Sequence, residues 1–334
     1  MKTNNIQHLL FATSLSMVLF ACNKSNSSSS SSTPPSNAQL QTQSDDESQV
    51  SNESNAAFDD VNTAMTSQAT ITGSSENSPV SYGNGVMVEG GNQDTVKSYI
   101  CDATVTVDTV DNPHTITISY NGSNCNVTRI RKGSIVISWV PGMKWTKAGA
   151  VVTVNFDSLK ITRVRDGKTI IFNGTHTYTN VSGGSLLSLT SNSATPIIHT
   201  ITSSNMSITF ASDSVRSWSV ARQRQYSYNN GLVITTTGLQ TQGTVSGISE
   251  WGTTRFGNSF TVQIAQPLIL SQSCGFQLTS GEHILTDAKG TTDITYGLDA
   301  TGAATSCPIS GGTYYFKLAW TGSAGKTYTF ILPY

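Results

Sequence analysis

The feature that most constrains this chain is an alternation of apolar and polar residues that starts near residue 99 and continues to residue 334. The positions between the apolar residues are mostly Thr, Ser, Asn and Arg. A period of two is typical of strands that bury one face and expose the other. We therefore predict an all-β domain over residues 99–334, either as one body or as two subdomains. Clear examples are Ile116 with Ile118, Ile135 with Ile137, Val152 with Val154 and Val262 with Ile264.

Turn signals separate these apolar segments. Asp166-Gly167 and Asn229-Asn230-Gly231 are typical of the tight turns that join antiparallel strands. Consecutive hairpins predict an antiparallel meander that forms a β-sandwich or a strongly curved open sheet, with a closed barrel as the alternative. The hairpins that we expect join residues 159–164 to 169–177 and residues 218–228 to 232–239.

Four cysteines lie inside the predicted β domain. Cys101 and Cys125 stand equally far before and after Pro113, and Cys274 and Cys307 flank a turn signal at residues 289–290. If each segment is a hairpin, each neighbouring pair lies across antiparallel strands, within reach of a disulfide. Of the three pairings that four cysteines allow, this symmetry favours Cys101–Cys125 and Cys274–Cys307. A zinc site is less favoured because Cys-x-x-Cys spacing is missing, and we expect neither a metal nor a cofactor.

The charge of the chain limits its partners. Charged residues make up 12% of the sequence, and the formal net charge is −1. Proteins that bind nucleic acid present a basic face to the phosphates, so a near-neutral chain argues against such a partner. The hydroxyl-rich composition is common in secreted β proteins, because Thr suits strands.

The first residues have the pattern of a signal peptide. The apolar run over residues 9–20 is too short to span a bilayer and has the length of a signal-peptide core. It ends in Leu19-Phe20-Ala21-Cys22, which resembles a bacterial lipobox, although Phe20 departs from the usual small or aliphatic residue. We predict a signal peptide over residues 1–21 and lipidation of Cys22; an ordinary secretory signal is the alternative. Residues 22–44 then predict a flexible tether, rich in Ser and Asn.

One helix is predicted between the tether and the β domain. Ser44 with Glu47 forms a capping-box pattern, and apolar residues recur at helical spacing from Val50 to Met65. We predict a helix over residues 45–66 and an irregular linker over residues 67–98. The apolar stripe is thin, so we expect loose packing on the β domain. The many carboxylates lack the spacing of a calcium loop and predict a solvated helix face.

Few residues suggest catalysis. The group with most resemblance to a site is Glu250, Trp251 and Arg255. A glycosidase needs two carboxylates that face each other across a sugar, and the sequence does not supply the second one. A cross-strand Glu–Arg pair beside a core tryptophan explains the group equally well. His114 and His176 stand in no nucleophile motif, and we expect both at the surface or at a sheet edge.

Arginines spaced by two form a second candidate site. Arg222 and Arg224 fall on one face of a predicted strand, where with Tyr226 and Tyr228 they could bind a glycan or an anionic polymer. The interpretation that we favour is long side chains lying over a solvated sheet face. Exposed Trp145 or Trp251 could add to a sugar-binding surface. The other arginines grouped in this way are Arg216 and the set Arg129, Arg131, Arg163 and Arg165.

Nearly the full chain resembles a group of lipoproteins from Bacteroidetes-type Gram-negative bacteria that carry no assigned activity. The leader, residues 54–60, residues 198–206 and residues 250–256 carry this resemblance. It implies attachment to the outer membrane through acyl chains on Cys22, on the periplasmic side or at the cell surface. We expect a non-enzymatic structural or binding protein of the envelope. The alternatives are a glycan-binding or adhesive surface module, or a glycoside hydrolase that uses Glu250.

Overall fold

The computed structural model describes most of the chain after residue 36. The leader, Cys22, the tether up to residue 36 and most of the predicted linker lie outside the described residues. The described residues belong to one compact unit, Pro34–Tyr334. They are residues 37–68, 71, 100–186, 189, 195–229, 231–274, 277–307, 313–322 and 325–333.

The described residues form one α-helix and fifteen strands. The helix, α1, spans Asn37–Thr66. The first strands are β1 (Ala103–Asp108), β2 (His114–Ser123), β3 (Arg129–Trp139), β4 (Ala150–Arg163), β5 (Thr169–Asn180), β6 (Ile197–Phe210), β7 (Val215–Tyr228) and β8 (Leu232–Gly238). The others are β9 (Gln240–Gln242), β10 (Val245–Thr253), β11 (Ser259–Ser271), β12 (Gln277–Asp287), β13 (Gly290–Leu298), β14 (Tyr315–Gly322) and β15 (Thr327–Pro333).

All fifteen strands belong to one antiparallel sheet, so the predicted all-β antiparallel fold is confirmed. The sheet follows chain order from β1 to β7 and continues with β10 to β15, while β8 pairs with β7 and β11, and β9 pairs with β10. Both predicted hairpins are present. Thr162 lies opposite Thr169 in the first, and Tyr228 lies opposite Leu232 in the second.

The sheet curves around α1. Asp45 of the helix forms an ion pair with Arg163 at the end of β4, and Gln43 donates a hydrogen bond to Asp287 at the end of β12. Six strand spacings separate β4 from β12 in the sheet, which would amount to roughly 29 Å if the sheet were flat. Two side chains one helical turn apart or less cannot reach that far. The strands therefore wrap the helix, and opposite parts of the sheet face each other across it.

The helix is part of the core, which corrects the prediction of loose packing. Val50, Phe58, Val61 and Met65 are almost completely buried in one cluster with inward residues of the strands. The helix also begins at Asn37, eight residues before its predicted start, so Ser44 lies inside it and is not an N-cap. The predicted tether therefore overlaps the first turns of α1.

Both predicted disulfides are present. The Cα atoms of Cys101 and Cys125 are 5.2 Å apart, and those of Cys274 and Cys307 are 5.0 Å apart. Each bond joins the two ends of a segment that folds back as a hairpin, β1–β2 in one case and β12–β13 in the other. The symmetry of the cysteines around their turns was therefore sufficient to predict the pairing.

Candidate functional site

The arginines predicted to lie over a solvated sheet face point instead toward α1. Arg131 of β3 and Arg216, Arg222 and Arg224 of β7 expose at most 5% of their surface. On each strand they share the face that carries apolar core residues, such as Ile135 on β3 and Trp218 on β7. Spacing by two places them on one face, as predicted, but that face is the inner one. The prediction of a solvated face is wrong for these four residues.

The carboxylates of α1 meet these arginines. Glu47 is 2.6 Å from Arg216, and Glu53 is 2.5 Å from Arg129. The predicted solvated helix face is therefore wrong as well, because Asp46, Glu47 and Glu53 are buried. Further ion pairs join Asp45 to Arg163 at 2.8 Å, Asp46 to Arg255 at 2.5 Å, Asp60 to Arg131 at 2.5 Å and Asp59 to Arg224 at 3.9 Å.

The two errors have one physical cause. A buried charge is costly unless an opposite charge accompanies it, so either set alone indicates exposure. Glu47 and Arg216, however, stand 169 residues apart in the chain, and the sequence pattern of neither segment contains its partner. Only the docking of α1 into the curved sheet brings the two sets together.

Glu250 lies inside the same network. It is 6% exposed, and its carboxylate accepts hydrogen bonds from Trp218 Nε1 and from Arg222, both on the neighbouring strand β7. Arg216 approaches the same carboxylate at 3.8 Å. A cross-strand Glu–Arg pair beside a core tryptophan is therefore present, but Arg222 and Trp218 form it with Glu250, and not the predicted Arg255 and Trp251.

The other two members of the sequence-predicted group do not contact Glu250. Arg255 pairs with Asp46 of the helix, and Trp251 is half-buried on β10. Adjacent residues on a strand point to opposite faces, so Glu250 and Trp251 cannot line one site. The structure thus separates a group that the sequence had placed together.

The network perturbs the ionisation of its carboxylates. Burial raises the pKa of Glu47 to about 7, and the neighbouring charge of Glu250 adds to this while Arg216 opposes it. Burial likewise raises the pKa of Asp46 to about 6 against the opposing effect of Arg255. Burial disfavours the charge of Glu250 too, but Arg222 and Arg216 outweigh it and hold the pKa of that group below its ordinary value.

The surroundings of Glu250 do not suit glycoside hydrolysis. Arg216 contacts both Glu250 and Glu47, so a second carboxylate lies close to Glu250. The enclosed cavity beside Glu250, which Arg222 and His283 also line, has a volume of about 20 Å³. That space holds roughly one water molecule and not a sugar ring. Glu47 joins the helix to the sheet, Glu250 joins β10 to β7, and the two do not flank a substrate-sized space.

Two more candidate residues for sugar binding are inside the protein. Trp145 is 3% exposed, and its ring packs against that of His199 with centroids 5.1 Å apart. Tyr226 is also buried, and its ring lies 4.9 Å from His199. A sugar-binding Trp145 would have to be exposed. Because Trp145 and Tyr226 are both buried, neither belongs to an open binding surface.

His176 is a core residue, which corrects its prediction as a surface or edge residue. Its ring packs among Phe58, Phe156 and Trp218, with centroids 5.2–5.6 Å apart. Burial lowers its pKa to about 3, and neither ring nitrogen has a hydrogen-bond partner among the described residues. A neutral histidine without partners serves packing here and is not a general base.

An open cavity of about 310 Å³ lies beside the N-terminal half of α1, between two strand connections. Sequence reasoning had singled out Arg255 in this region but had missed the neighbouring Phe256. The signal that could have found it is an aromatic residue inside a short hairpin turn, between Arg255 and Gly257. A side chain in such a turn has little access to a core, so its exposure was predictable. The lining residues are Gln39, Thr42, Ser212, Ser214, Arg255 and Phe256.

Within the described part of the chain, His, Cys, Asp and Glu side chains form no group of three or more that could hold a metal ion. Nor does that part contain a helix with the length and hydrophobicity needed to cross a membrane. Comparison with known proteins finds no family model, curated protein or solved structure that matches this chain.

Proposed function

We propose that this protein is a lipid-anchored protein of the cell envelope with a structural or binding role and no catalytic activity. The leader over residues 1–21 and the lipobox-like run that ends in Cys22 support the anchor. The disulfides Cys101–Cys125 and Cys274–Cys307 fit an oxidising compartment outside the cytosol. The resemblance to outer-membrane lipoproteins agrees with both.

One observation carries the non-catalytic part of the proposal: the charged groups of the interior are engaged in holding α1. A catalytic acid, base or nucleophile must come within hydrogen-bond distance of a substrate. Arg216, Arg222 and Glu250 are buried and paired with one another or with the helix. The helix follows directly on the proposed tether, so these ion pairs would fix the anchored end of the chain to the β body.

Metabolic labelling with palmitate tests the anchor. We expect the natural chain to incorporate label and to fractionate with the outer membrane, and Cys22→Ser to lose both properties. Cys274→Ser is the matched control, because it removes a cysteine of the body and should keep the label. An unlabelled natural chain, or label that persists in Cys22→Ser, would contradict the proposed anchor.

Incubation with a panel of polysaccharides tests the non-catalytic role. We expect no release of reducing sugar by the full-length protein in detergent micelles. Release of sugar that disappears in Glu250→Gln would contradict this expectation and would restore the hydrolase alternative.

A further inference from the structure

We propose that the open cavity between the β6–β7 turn and the β10–β11 turn binds a neutral sugar ring at the end of a glycan. This inference deepens the proposed function, on which it rests only for placing the site in a glycan-rich compartment. The site uses Phe256 as a stacking platform, Arg255 as a hydrogen-bond donor, and Ser212 and Ser214 as hydroxyl partners. It differs from the arginine face expected from the sequence, which α1 covers.

The first element of the site is an exposed aromatic ring on a hydrogen-bonded turn. Phe256 is 41% exposed. The buried hydroxyl of Thr254 accepts hydrogen bonds from the backbone N–H groups of Phe256 and Asn258, both at 3.3 Å. Gly257 has a φ of 79°, in the left-handed region that glycine adopts readily, so the turn closes without strain. These backbone hydrogen bonds hold the turn that presents the Phe256 ring, and the exposed ring can pack on the C–H face of a sugar.

The second element is the guanidinium of Arg255. Its Nε and Nη2 atoms donate to the carboxylate of Asp46 at 2.6 and 2.5 Å, and its planar group lies 3.9 Å from the centroid of the Phe210 ring. These contacts hold the side chain in place. They leave Nη1 without a partner among the described residues, so this donor is available to a ligand hydroxyl.

The same ion pair selects the charge of the ligand. The carboxylate of Asp46 neutralises the charge of Arg255. The guanidinium therefore attracts a free anion only weakly but remains a good hydrogen-bond donor. Lys289 approaches the Phe256 ring at 5.9 Å and is a second cation near the platform. A neutral polyhydroxyl ligand therefore fits this chemistry better than a phosphate or a sulfate.

The third element is a pair of serine hydroxyls on the β6–β7 turn. Ser212 Oγ and Ser214 Oγ lie 2.8 Å apart, and each can both donate and accept a hydrogen bond. Neighbouring hydroxyls of a sugar ring match such a pair. The cavity volume of about 310 Å³ is at the lower end of the roughly 300–1,000 Å³ that small-molecule pockets occupy, which suits a single ring.

A glycan array probed with the full-length protein in detergent micelles tests the site. We expect binding to glycans with neutral terminal sugars, weakened at least about tenfold by Phe256→Ala, a loss of about 1.4 kcal/mol. Phe256→Trp should retain binding because it keeps an aromatic platform. Tyr228→Ala is the matched control, since Tyr228 is similarly exposed at 44% and does not line the cavity.

Three results would overturn the proposal: no binding to any neutral glycan, equal effects of Phe256→Ala and Tyr228→Ala, or binding confined to sulfated or sialylated glycans and lost in high salt. Cys22→Ser separates this proposal from the proposed anchor. If lipidation fails, Cys22→Ser and the natural chain should still bind sugar equally, whereas failure of the sugar site leaves the palmitate label unchanged.

Discussion

The buried faces of β7 and β14 differ in chemistry, since that of β7 includes arginines and that of β14 carries apolar side chains. The buried positions of β7 include Arg216, Trp218 and Arg222. Those of β14 are Phe316, Leu318 and Trp320, together with a glycine at its end. Burial alternates along both strands. Strand β7 faces the acidic helix α1, whereas the cluster around β14 contains no helix residue among those described.

This difference shows what the helix does for the fold. Inward arginines stand beside inward apolar residues where α1 supplies carboxylates, whereas the buried side chains of β14 are all apolar. A buried arginine without an opposite charge would cost several kcal/mol, so Arg216 and Arg224 of β7 depend most on α1, whereas Arg222 pairs with Glu250 of β10. Arg131 of β3 has a second carboxylate partner, Asp102, outside the helix. The helix is thus a charged part of the core, and its removal should take from Arg216 and Arg224 their helix carboxylates while the buried cluster of β14 is unaffected.

The largest effect that we predict comes from removing one charge of the helix-covered region. Arg216→Met should lower the free energy of unfolding by about 3–5 kcal/mol, because it leaves the buried carboxylate of Glu47 without its cation. Chemical denaturation measures this loss. Glu47→Gln combined with Arg216→Met should recover much of it, since no unpaired charge remains. A single-substitution cost below about 1 kcal/mol would mean that water replaces the pair.

A second effect follows from the pKa of His176, lowered by burial from 6.5 to about 3. A lowered pKa means that the unfolded chain takes up the proton first, so stability is complete above pH 6.5 and is lost as the pH falls toward 3. Between about pH 6.5 and about pH 4.5 the natural chain should lose roughly 2 kcal/mol through this residue. His176→Phe should lack that part of the loss and keep full stability at neutral pH.

Comparison of the two chains isolates His176 from the acidic residues. The raised pKa of Glu47 has the opposite sign, because it adds stability as the pH falls from about 7 toward 4.5. This contribution is common to the natural chain and to His176→Phe. Denaturation curves of both chains across this pH range provide the measurement, and identical pH dependence in the two would show that His176 is accessible to water.

A third prediction concerns the apolar region. Leu318 is 3% exposed in the cluster of β13 to β15. Leu318→Ala should cost about 2–3 kcal/mol, at the lower end of the range for buried leucines because this cluster is small and partly open. Denaturation at low and high salt should return the same loss. A loss that changes with salt would indicate that charges contribute to this region as well, which would weaken the contrast with β7.

The smallest effect comes from an exposed ion pair at the edge of the helix-covered region. Lys168 lies 2.9 Å from Asp45, and about half of its side chain is exposed. Lys168→Ala should cost less than about 1 kcal/mol, and the difference should shrink further as salt screens the pair. Thermal unfolding at two salt concentrations is the measurement. A cost similar to that of Arg216→Met would show that burial does not decide the value of these pairs.

Local patterns predicted much of the fold. Alternation near Ile116 and Ile135 predicted strands, Asp166-Gly167 predicted a hairpin, and the cysteines predicted both disulfides. Each of these features depends on residues that are close in the chain. The candidate sugar site was predicted only in part. Arg255 was singled out, but the cavity is also lined by Gln39, Thr42, Ser212 and Ser214, which no local pattern connects to it.

By itself the sequence determined that this chain forms antiparallel strands, where those strands turn and which cysteines pair. A period of two and a turn dipeptide act over neighbouring residues, so neither needs the rest of the molecule. Only the tertiary structure decided which face of β7 is buried. Arginines spaced by two suit water or an acidic partner equally well, and that choice was made by the carboxylates of α1, which lie far away in the chain and close in space.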